Sequence, residues 1–235
     1  TNSWKNLPVG RSRYGLMLRE DGMVFDDGTT ARIGENAYFM TTTTNNAAKV
    51  LAHLEYYLQV VWPELRVRVG SLTDQWAGMA VAGPMTRHVL APILEGIDVG
   101  NEAFPFMGVR EGRLRGIPAI VSRVSFSGEL SFEIHVPSAY GTAAWETIMD
   151  AGKRHGIVTY GLEAMGTMRI EKGHVAAAEL NGQTTPFDLG LGKMVSKKKD
   201  FVGRAMLERD ALRDPNRKAL VGLEPVDGRS RLRSG

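Results

Sequence analysis

The sequence predicts an α+β fold in which antiparallel sheets pack against segregated helices. Strand-like runs follow one another without an intervening helix in two regions, one beginning near Met23 and one near Phe106. Helical periodicity occurs in separate stretches, so the strict alternation of strand and helix that marks a parallel sheet is absent. With 235 residues, 43% of them hydrophobic, the chain is long enough and apolar enough for a sizeable core.

The first strands are expected in "MVFDDGTTARIGENAYFMTTTT". Turn residues at Asp27-Gly28 and at 34–36 divide this run into three short strands. The next stretch, "NNAAKVLAHLEYYLQVVW", carries apolar residues at helical spacing, with Thr44 or Asn45 as the N-cap and Pro63 as the stop. A three-stranded hairpin unit followed by an amphipathic helix is therefore predicted.

The middle of the chain repeats the order of strands followed by a helix. "LRVRVGSLTDQWAGMAVAGP" predicts two strands, and Gly83-Pro84 opens a helix. "FMGVREGRLRGIPAIVSRVSFSGELSFEIHVP" predicts further strands with a turn at Arg115-Gly116. Ser138 then caps a helix that turns Trp145, Ile148 and Met149 to one face, and the tryptophans 62, 76 and 145 are expected in the core.

The last third is predicted to be rich in loops. A short strand "GIVTYG" leads into the helix "LEAMGTMRIEKG", which Gly173 stops. After the loop "NGQTTPFDLGLGKMVSKKKD", a helix "GRAMLERDAL" and a strand "KALVGLEPV" complete the pattern. The abrupt beginning and end lead us to expect that the fold is incomplete at both ends.

Composition excludes several functional classes. The chain has no cysteine, which rules out disulfides, thiolate catalysis and cysteine-bound metals. Its five histidines form no metal-binding motif, and no Gly-rich stretch has the spacing of a phosphate or dinucleotide loop, so no metal site is predicted. No apolar run approaches the roughly 20 residues of a membrane helix, and a cytoplasmic protein is the expectation. The net charge of +3 is dispersed except at 197–199, where a solvated loop is favoured over an anion-attracting site.

The acids that neighbour apolar residues are the remaining candidates for chemistry. These are Asp26-Asp27, Glu129 and Glu171. Apolar surroundings shift the pKa of a carboxylate and direct it towards a ligand. Asp-Asp-Gly is also common turn chemistry, so the residues alone favour a turn at Asp26-Asp27 and leave the catalytic interpretation open.

Six blocks in a fixed order carry a resemblance to a known family. They are "YGLMLREDGMVFDD…AYFMTTTTNN", "WAGMAVAGP", "SFSGELSFEIHVP", "YGLEAMGTMRIEKG", "TTPFDLGLGKMVSKKKDFVGRAML" and "KALVGLEP". Together they resemble the aminomethyltransferase (glycine-cleavage T-protein) family of tetrahydrofolate-binding proteins. The forms "MRIEKGH" and "KKKDFVGRAML" look most like its sarcosine oxidase alpha-subunit branch, in the C-terminal folate-binding region.

The resemblance implies an enzyme module that transfers a one-carbon unit. Flavin chemistry elsewhere in a heterotetramer, on parts that carry FAD, FMN and NAD, would oxidise an N-methyl amine to an iminium. This module would bring tetrahydrofolate to it and yield 5,10-methylenetetrahydrofolate. Other oxidase subunits would be its partners, with no nucleic acid or membrane. The alternatives are a freestanding aminomethyltransferase, another folate-dependent demethylase, or a folate-fold module without turnover.

Residue roles follow from the resemblance. Asp27 matches the second Asp of a Gly-x-x-x-Asp-Asp strand end and becomes the catalytic carboxylate. Tyr38 and Met40 match positions that line the pterin and aminobenzoyl pocket. Glu129 matches the glutamate that pairs with the amino-pyrimidine edge of the pterin.

Two departures from the family pattern adjust these roles. The family's aromatic-Thr-Gly-Glu motif reads Phe126-Ser127-Gly128-Glu129 here, so a tyrosine hydroxyl is missing if relatives use a tyrosine at the aromatic position. The family's Ala-Arg-Asp-x-Leu-Arg helix reads Ala164-Met165-Gly166-Thr167-Met168-Arg169 here. An arginine and an aspartate are thereby lost, and Arg169 is left as a partial substitute for contacts to the folate tail.

The family fold also implies a division of the chain. Residues 1–66 and about 157–200 would form one α+β subdomain, and 67–156 a second, ferredoxin-like one. Residues 201–235 would begin a C-terminal β-barrel domain that is mostly absent.

Overall fold

Two antiparallel sheets and six short to medium helices make up the computed structural model, which describes residues 1–176, 178–230 and 232. The first sheet has the order β1-β2-β3 and the second the order β4-β8-β7-β6-β5. The strands are β1 (Arg11–Leu18), β2 (Val24–Gly34), β3 (Ala37–Met40), β4 (Trp76–Ala82), β5 (Leu94–Glu95), β6 (Val109–Leu114), β7 (Ile117–Ser122) and β8 (Ser131–Pro137). The helices are α1 (Ala47–Tyr56), α2 (Thr86–Leu90), α3 (Gly141–Gly152), α4 (Leu162–Lys172), α5 (Arg204–Leu207) and α6 (Asp210–Arg213). The α+β class predicted from the sequence is confirmed.

β2 is one continuous strand through Asp27-Gly28, so the predicted turn at that point is wrong. Gly28 pairs with Gly15 of β1 in an unbroken register that runs from Arg11 opposite Arg32 to Met17 opposite Asp26. A Cβ atom at position 28 would overlap the backbone carbonyl of Thr41. Glycine is therefore required here for the close approach of another backbone segment, not for a turn.

The remaining predictions for the first sheet and its helix are largely confirmed. The turn at 34–36 joins β2 to β3. A 3₁₀ turn at Thr44–Asn46 leads into α1, and a π-helical turn at Tyr57–Val61 ends it just before Pro63. No side chain caps α1, so the predicted capping by residue 44 or 45 is not formed.

The five-stranded sheet packs one face against α2 and α3. Residues that alternate on β8, Phe132, Ile134 and Val136, are completely buried with Leu114 of β6 and Ile148 of α3 in the largest apolar cluster. The predicted turn at 115–116 is present between β6 and β7, with positive φ at both residues. The side chain of Trp145 lies outside this core and is 46% exposed, so only part of the predicted apolar face of α3 is buried.

Three predicted strands are not formed. The runs at 65–70, 157–160 and 218–226 have suitable strand composition but are in irregular conformation. A strand requires a ladder of hydrogen bonds to a neighbour. Among the described residues these runs form no such ladder, and Leu220 makes a single backbone bond to the carbonyl of Asp188. The last predicted helix is divided into α5 and α6, with extended backbone at Arg209. Trp62 is 41% exposed rather than in the core.

The two sheets contact each other through the inner face of the first sheet. Ala31 of β2 packs with Val109 and Ile120 of the second sheet. The ring of Phe39 lies 6.0 Å from that of Trp76 and 5.2 Å from that of His135, which is in β8. The loop segment after α4 covers the other end of the same face, where Leu16 meets Val175, Leu180 and Leu189.

No helix in the described part of the chain has both the length and the apolar character needed to cross a bilayer. Arg231 and residues 233–235, at the end of the predicted barrel segment, lie outside the described residues, as does Ala177.

Candidate functional site

The adjacent carboxylates Asp26 and Asp27 point to opposite faces of the first sheet. Side chains alternate along a paired strand, and the register of β2 is regular at both positions. Asp27 shares its face with Ala31, which packs against the second sheet. The strand thus directs Asp27 into the region between the two sheets and directs Asp26 away from it.

Asp27 accepts a short hydrogen bond from the phenol of Tyr14. The Tyr14 hydroxyl lies 2.6 Å from Oδ2, and the Thr43 hydroxyl lies 3.4 Å from Oδ1. Burial raises the pKa of Asp27, the bond from Tyr14 opposes that rise, and the charge of Asp26 adds to it. Burial and the neighbouring carboxylate also raise the pKa of Tyr14, so the phenol stays a donor. The arrangement is a carboxylate with a raised proton affinity and a fixed orientation.

Asp26 is fully buried and bound by two donors. Its Oδ2 accepts from the backbone N–H of Thr43 at 3.1 Å, and its Oδ1 accepts from Nδ2 of Asn46 at 3.1 Å. These donors belong to the connection between β3 and α1. The hydrogen bonds tie the start of the helix to the first part of β2.

Tyr38 and Met40 lie on the face of the sheet opposite to Asp27. They pair with Arg32 and Thr30, whose side chains project with that of Asp26. Both are exposed, and the Arg32 guanidinium lies 5.9 Å from the centre of the Tyr38 ring. The structure places these two residues together but not beside Asp27.

Phe126 and Glu129 meet the C-terminal end of α4. His174 donates from Nδ1 to the carbonyl of Phe126 at 2.9 Å, and the two rings stack with 6.0 Å between centroids. The exposed Glu129 lines a pocket of about 280 Å³. That pocket is also lined by Phe106, Arg123, Ser125, Gly128, Leu130, Ser131, Lys172 and His174. It is small and mixed in charge, suited to one edge of a polar ligand.

Arg169 is occupied by a structural ion pair. Its Nη1 donates to both carboxylate oxygens of Glu179 at 2.9 Å and to the carbonyl of His174 at 3.2 Å. Glu179 also accepts from the backbone of Ala176. Although burial opposes it, the bond from Arg169 lowers the pKa of Glu179. Arg169 thereby fixes the turn after α4, next to the pocket of Glu129.

Glu133 is a further acid in the region between the sheets. On β8 it lies two residues before His135, whose ring contacts Phe39 of the first sheet, so Glu133 shares that inward face. Burial raises the pKa of Glu133, and the charge of Glu133 adds to burial in raising the pKa of the Tyr160 hydroxyl. Nδ1 of His135 is buried without a hydrogen-bond partner among the described residues. Polar groups that lack partners are what a hydrogen-bonding ligand would satisfy.

Sequence reasoning missed Tyr14, Thr43 and Glu133. The alternation in "ELSFEIHVP" places Glu133 and His135 on one face opposite Phe132, Ile134 and Val136, and this signal would have separated Glu133 from the exposed Glu129. Tyr14 and Thr43 reach Asp27 only through the pairing of β1 with β2 and through the connection after β3. Neither contact has a sequence signal.

A family model described as the GCVT N-terminal domain matches residues 1–199. The chain belongs to the GCVT, or aminomethyltransferase, family. The resemblance inferred from the six sequence blocks is thereby confirmed.

Individual GCVT relatives support the same placement. The chain is 52% identical to "Sarcosine oxidase subunit alpha" of Rhizobium meliloti (strain 1021) over 237 residues, with all of this chain and 24% of that protein covered. It is 35% identical to "Aminomethyltransferase" of Streptomyces coelicolor (strain ATCC BAA-471 / A3(2) / M145), with 96% of this chain and 60% of that protein covered. This GCVT chain thus spans about a quarter of the length of its sarcosine oxidase relative.

The GCVT fold is also seen in a solved structure. The glycine cleavage system aminomethyltransferase T from Bartonella henselae superposes with a TM-score of 0.74 at 28% sequence identity. The match covers 86% of this chain and 54% of that one.

Proposed function

We propose that the chain is the tetrahydrofolate-binding module of a sarcosine oxidase alpha subunit. In this proposal it delivers the one-carbon unit of an iminium to tetrahydrofolate, giving 5,10-methylenetetrahydrofolate. The observation that carries the proposal is the half-buried Asp27 carboxylate, held by the Tyr14 hydroxyl at 2.6 Å in a chain that matches such a subunit over the whole length of this chain. FAD, FMN and NAD would act on other parts of the complex. The Rhizobium meliloti relative is named as one subunit of sarcosine oxidase, which supports the proposal that other subunits are partners of this chain.

The groups between the sheets suit a flat ligand rich in hydrogen-bonding atoms. Asp27 and Glu133 supply carboxylates, and His135 supplies a ring nitrogen that has no partner among the described residues. Reduced folate supplies weakly basic amines that trap an iminium carbon. The chain itself supplies orientation and a carboxylate that stabilises positive charge or accepts a proton as the C–N bond forms.

Within this proposal Asp27 is the catalytic carboxylate, because it faces the region between the sheets, is oriented by the Tyr14 hydroxyl, and has its pKa raised by burial. Glu129 and Glu133 are alternative anchors for the amino-pyrimidine edge, since a carboxylate accepts two parallel hydrogen bonds. Glu129 has the family motif, whereas Glu133 is more buried and faces the same region as Asp27. Phe126, Tyr38 and Met40 are proposed as apolar contacts on the rim. Arg169 is proposed to act through the turn that it fixes.

Titration of the folded protein with tetrahydrofolate under anaerobic conditions tests the site. We expect Asp27→Asn to weaken binding by about tenfold or more, because a hydrogen bond to a charged group is lost. Glu129→Gln and Glu133→Gln test the two possible anchors. Whichever substitution removes the anchor is also expected to weaken tetrahydrofolate binding by about tenfold or more. Glu35→Gln, at the exposed turn before β3, is the control and is expected to bind normally. Unchanged affinity in Asp27→Asn and in both anchor variants would refute the site.

A freestanding aminomethyltransferase is the second candidate, favoured by the Streptomyces coelicolor relative. A folate-fold module without turnover is the third. It is favoured by Met165 and Gly166, which stand where the family's Arg-Asp pair is expected, on an α4 without any buried residue. Labelled formaldehyde equivalents are expected to appear as methylenetetrahydrofolate only when the oxidase subunits are added. Product formed from a lipoyl-bound aminomethyl group would favour the second candidate, and no product under either condition would favour the third.

A further inference from the structure

Asp26 is a fully buried carboxylate that the proposed chemistry does not use. A buried charge is unfavourable unless hydrogen bonds or a counter-ion compensate it. Asp26 meets two neutral donors, Thr43 and Asn46, and among the described residues it forms no salt bridge. We propose that Asp26 is a positioning residue, whose carboxylate holds the connection from β3 to α1 in the place where that connection contacts Asp27.

Thr43 is hydrogen-bonded to both aspartates and therefore connects them. Its backbone N–H donates to Asp26, and its hydroxyl donates to Oδ1 of Asp27 at 3.4 Å. The bond to Asp26 fixes the backbone from which the hydroxyl projects. Without the bond to Asp26, the backbone at Thr43 is less constrained, and the long, weak contact of its hydroxyl with Asp27 is expected to be lost.

The connection is pinned at a second point, two residues earlier. The N–H of Thr41 donates to the carbonyl of Thr29 at 2.8 Å, and the two hydroxyls lie 2.9 Å apart. The carbonyl of Thr41 lies against Gly28, where no side chain interferes. Asp26 therefore acts on a short segment that is already anchored on one side, so one further clamp is sufficient to fix Thr43.

Asp26 also acts on Asp27 through its charge. The titratable groups that act on the pKa of Asp27 are Tyr14 from β1, through its hydrogen bond, and Asp26, the preceding residue of β2, through its charge; the connection after β3 contributes only the uncharged Thr43. No cation in the described part of the chain pairs with Asp27. The effect of Asp26 is to raise the pKa of Asp27, in addition to the larger effect of burial.

The test is Asp26→Asn, read by two measurements on the unliganded protein. An amide replaces one acceptor oxygen by a donor, so one hydrogen bond and the charge are both lost. We expect hydrogen exchange at the Thr43 amide to accelerate by about tenfold or more, the equivalent of one charge-assisted bond. A ¹³C NMR titration is expected to show a lower pKa for Asp27, because the neighbouring negative charge is gone.

Asp98→Asn is the matched control. Its exposed carboxylate accepts from the backbone N–H of Gly100 at 2.7 Å in the connection that follows β5 of the other sheet. The substitution makes the same chemical change at a carboxylate that also accepts from a backbone N–H but does not contact the first sheet's connection. It is expected to leave both the Thr43 exchange rate and the Asp27 titration unchanged.

Asn46→Ala keeps the proposal falsifiable if Asp26→Asn does not fold. It removes one donor from the clamp but retains the charge of Asp26 and the bond from Thr43. Exchange at Thr43 is expected to rise several-fold, by less than in Asp26→Asn, while the pKa of Asp27 stays close to that of the unmodified protein. Unchanged exchange in this variant, or unchanged exchange and titration in folded Asp26→Asn, would overturn the proposal.

The consequence for catalysis rests on the proposed function, but the two measurements do not. If tetrahydrofolate fails to bind the unmodified protein, the proposed function fails while the exchange and titration results still decide the role of Asp26. If tetrahydrofolate binds, the pH dependence of its dissociation constant is expected to move to lower pH in Asp26→Asn. A merely structural role for Asp26 would weaken binding equally at every pH.

Discussion

The hydrogen bond from Tyr14 orients the candidate catalytic carboxylate of Asp27. Burial raises the pKa of Asp27, and the phenol opposes that rise because it stabilises the ionised form through a 2.6 Å contact. At this scale the chemistry depends on a single pair of side chains from two paired strands.

Tyr14→Phe tests this pair. Removal of the donor is expected to raise the pKa of Asp27 further and to lower the free energy of unfolding by about 1.5–3 kcal/mol, the value of a hydrogen bond to a charged group. Tyr38→Phe is the control, because the Tyr38 ring is exposed on the opposite face of the sheet. NMR titration and urea denaturation measure the two effects. An Asp27 pKa that stays the same in Tyr14→Phe would contradict the assigned role of the phenol.

The close approach of the Thr41 carbonyl to Gly28 leads to a second prediction at the scale of the residue. Gly28→Ala places a methyl group against the carbonyl of Thr41, so the free energy of unfolding is expected to fall by about 2–3 kcal/mol through overpacking. Gly166→Ala is the opposite case, because Gly166 lies within α4 and no atom of the described residues beyond its own stretch of helix lies within 4 Å of a Cβ placed there. That variant is expected to gain about 0.5–1 kcal/mol from helix propensity. Equal effects of the two substitutions in denaturation experiments would refute the close approach at Gly28.

Among the elements, α4 depends on the turn that follows it. The helix has no buried residue of its own. Its end is fixed by the ion pair of Arg169 with Glu179, whose side chains are only 15% and 21% exposed, and by the stacking of His174 on Phe126. The position of α4 relative to the pocket of Glu129 is therefore set by contacts at one end.

Arg169→Met is expected to destabilise the protein by about 1–3 kcal/mol, between the values for exposed and buried ion pairs. The pKa of Glu179 is lowered, so the stability that the pair contributes is present above the ordinary pKa of glutamate and is lost as pH falls through the folded pKa. The difference from the unmodified protein should therefore shrink in acid. Arg213→Met breaks a pair with Glu208 whose side chains are more than half exposed, and a cost below about 1 kcal/mol is expected in chemical denaturation.

Elements with local signals were predictable from the sequence, and those that need a partner were not. The helices α1 and α4 and the hairpin of β6 with β7 were predicted because periodicity, a terminating glycine and a tight turn each act within a few residues. The strand-like runs at 65–70 and 218–226 failed because strand formation depends on a neighbour that composition does not reveal. Asp27 was identified through family resemblance, whereas its partners Tyr14 and Thr43 depend on tertiary register.

For the molecule as a whole, acids between the two sheets link stability to pH. Burial raises the pKa of Glu133 and of Asp27, so the folded state binds protons more tightly than the unfolded state. The contribution of these two acids to stability is then most favourable below their ordinary pKa, near 4, and falls as pH rises through their folded pKa values. The region between the sheets is thus maintained at some expense of stability. The division of the chain into subdomains remains a prediction.

Glu133→Gln tests this linkage. It is expected to raise the free energy of unfolding at neutral pH, because a buried charge is removed, and to flatten the fall of that free energy with increasing pH. The matched control is Glu129→Gln, four residues earlier and exposed, where a change within about 0.5 kcal/mol and no altered pH dependence are expected. Denaturant unfolding measured from pH 4 to pH 8 gives both curves. Identical curves for the two variants would show that Glu133 is solvated.

The register shift between Met17 and Leu18 bears on whether a homologous protein retains the site. Because of that shift, Leu18 pairs with Val24 while Met17 pairs with Asp26. Two chemically identical side chains, Asp26 and Asp27, receive different tasks solely from the parity of their position along β2. A single-residue insertion or deletion before Asp26 would exchange those tasks while it left both aspartates in the sequence. A relative that retains the Asp-Asp pair therefore retains the site only if the length of the preceding turn is also compatible.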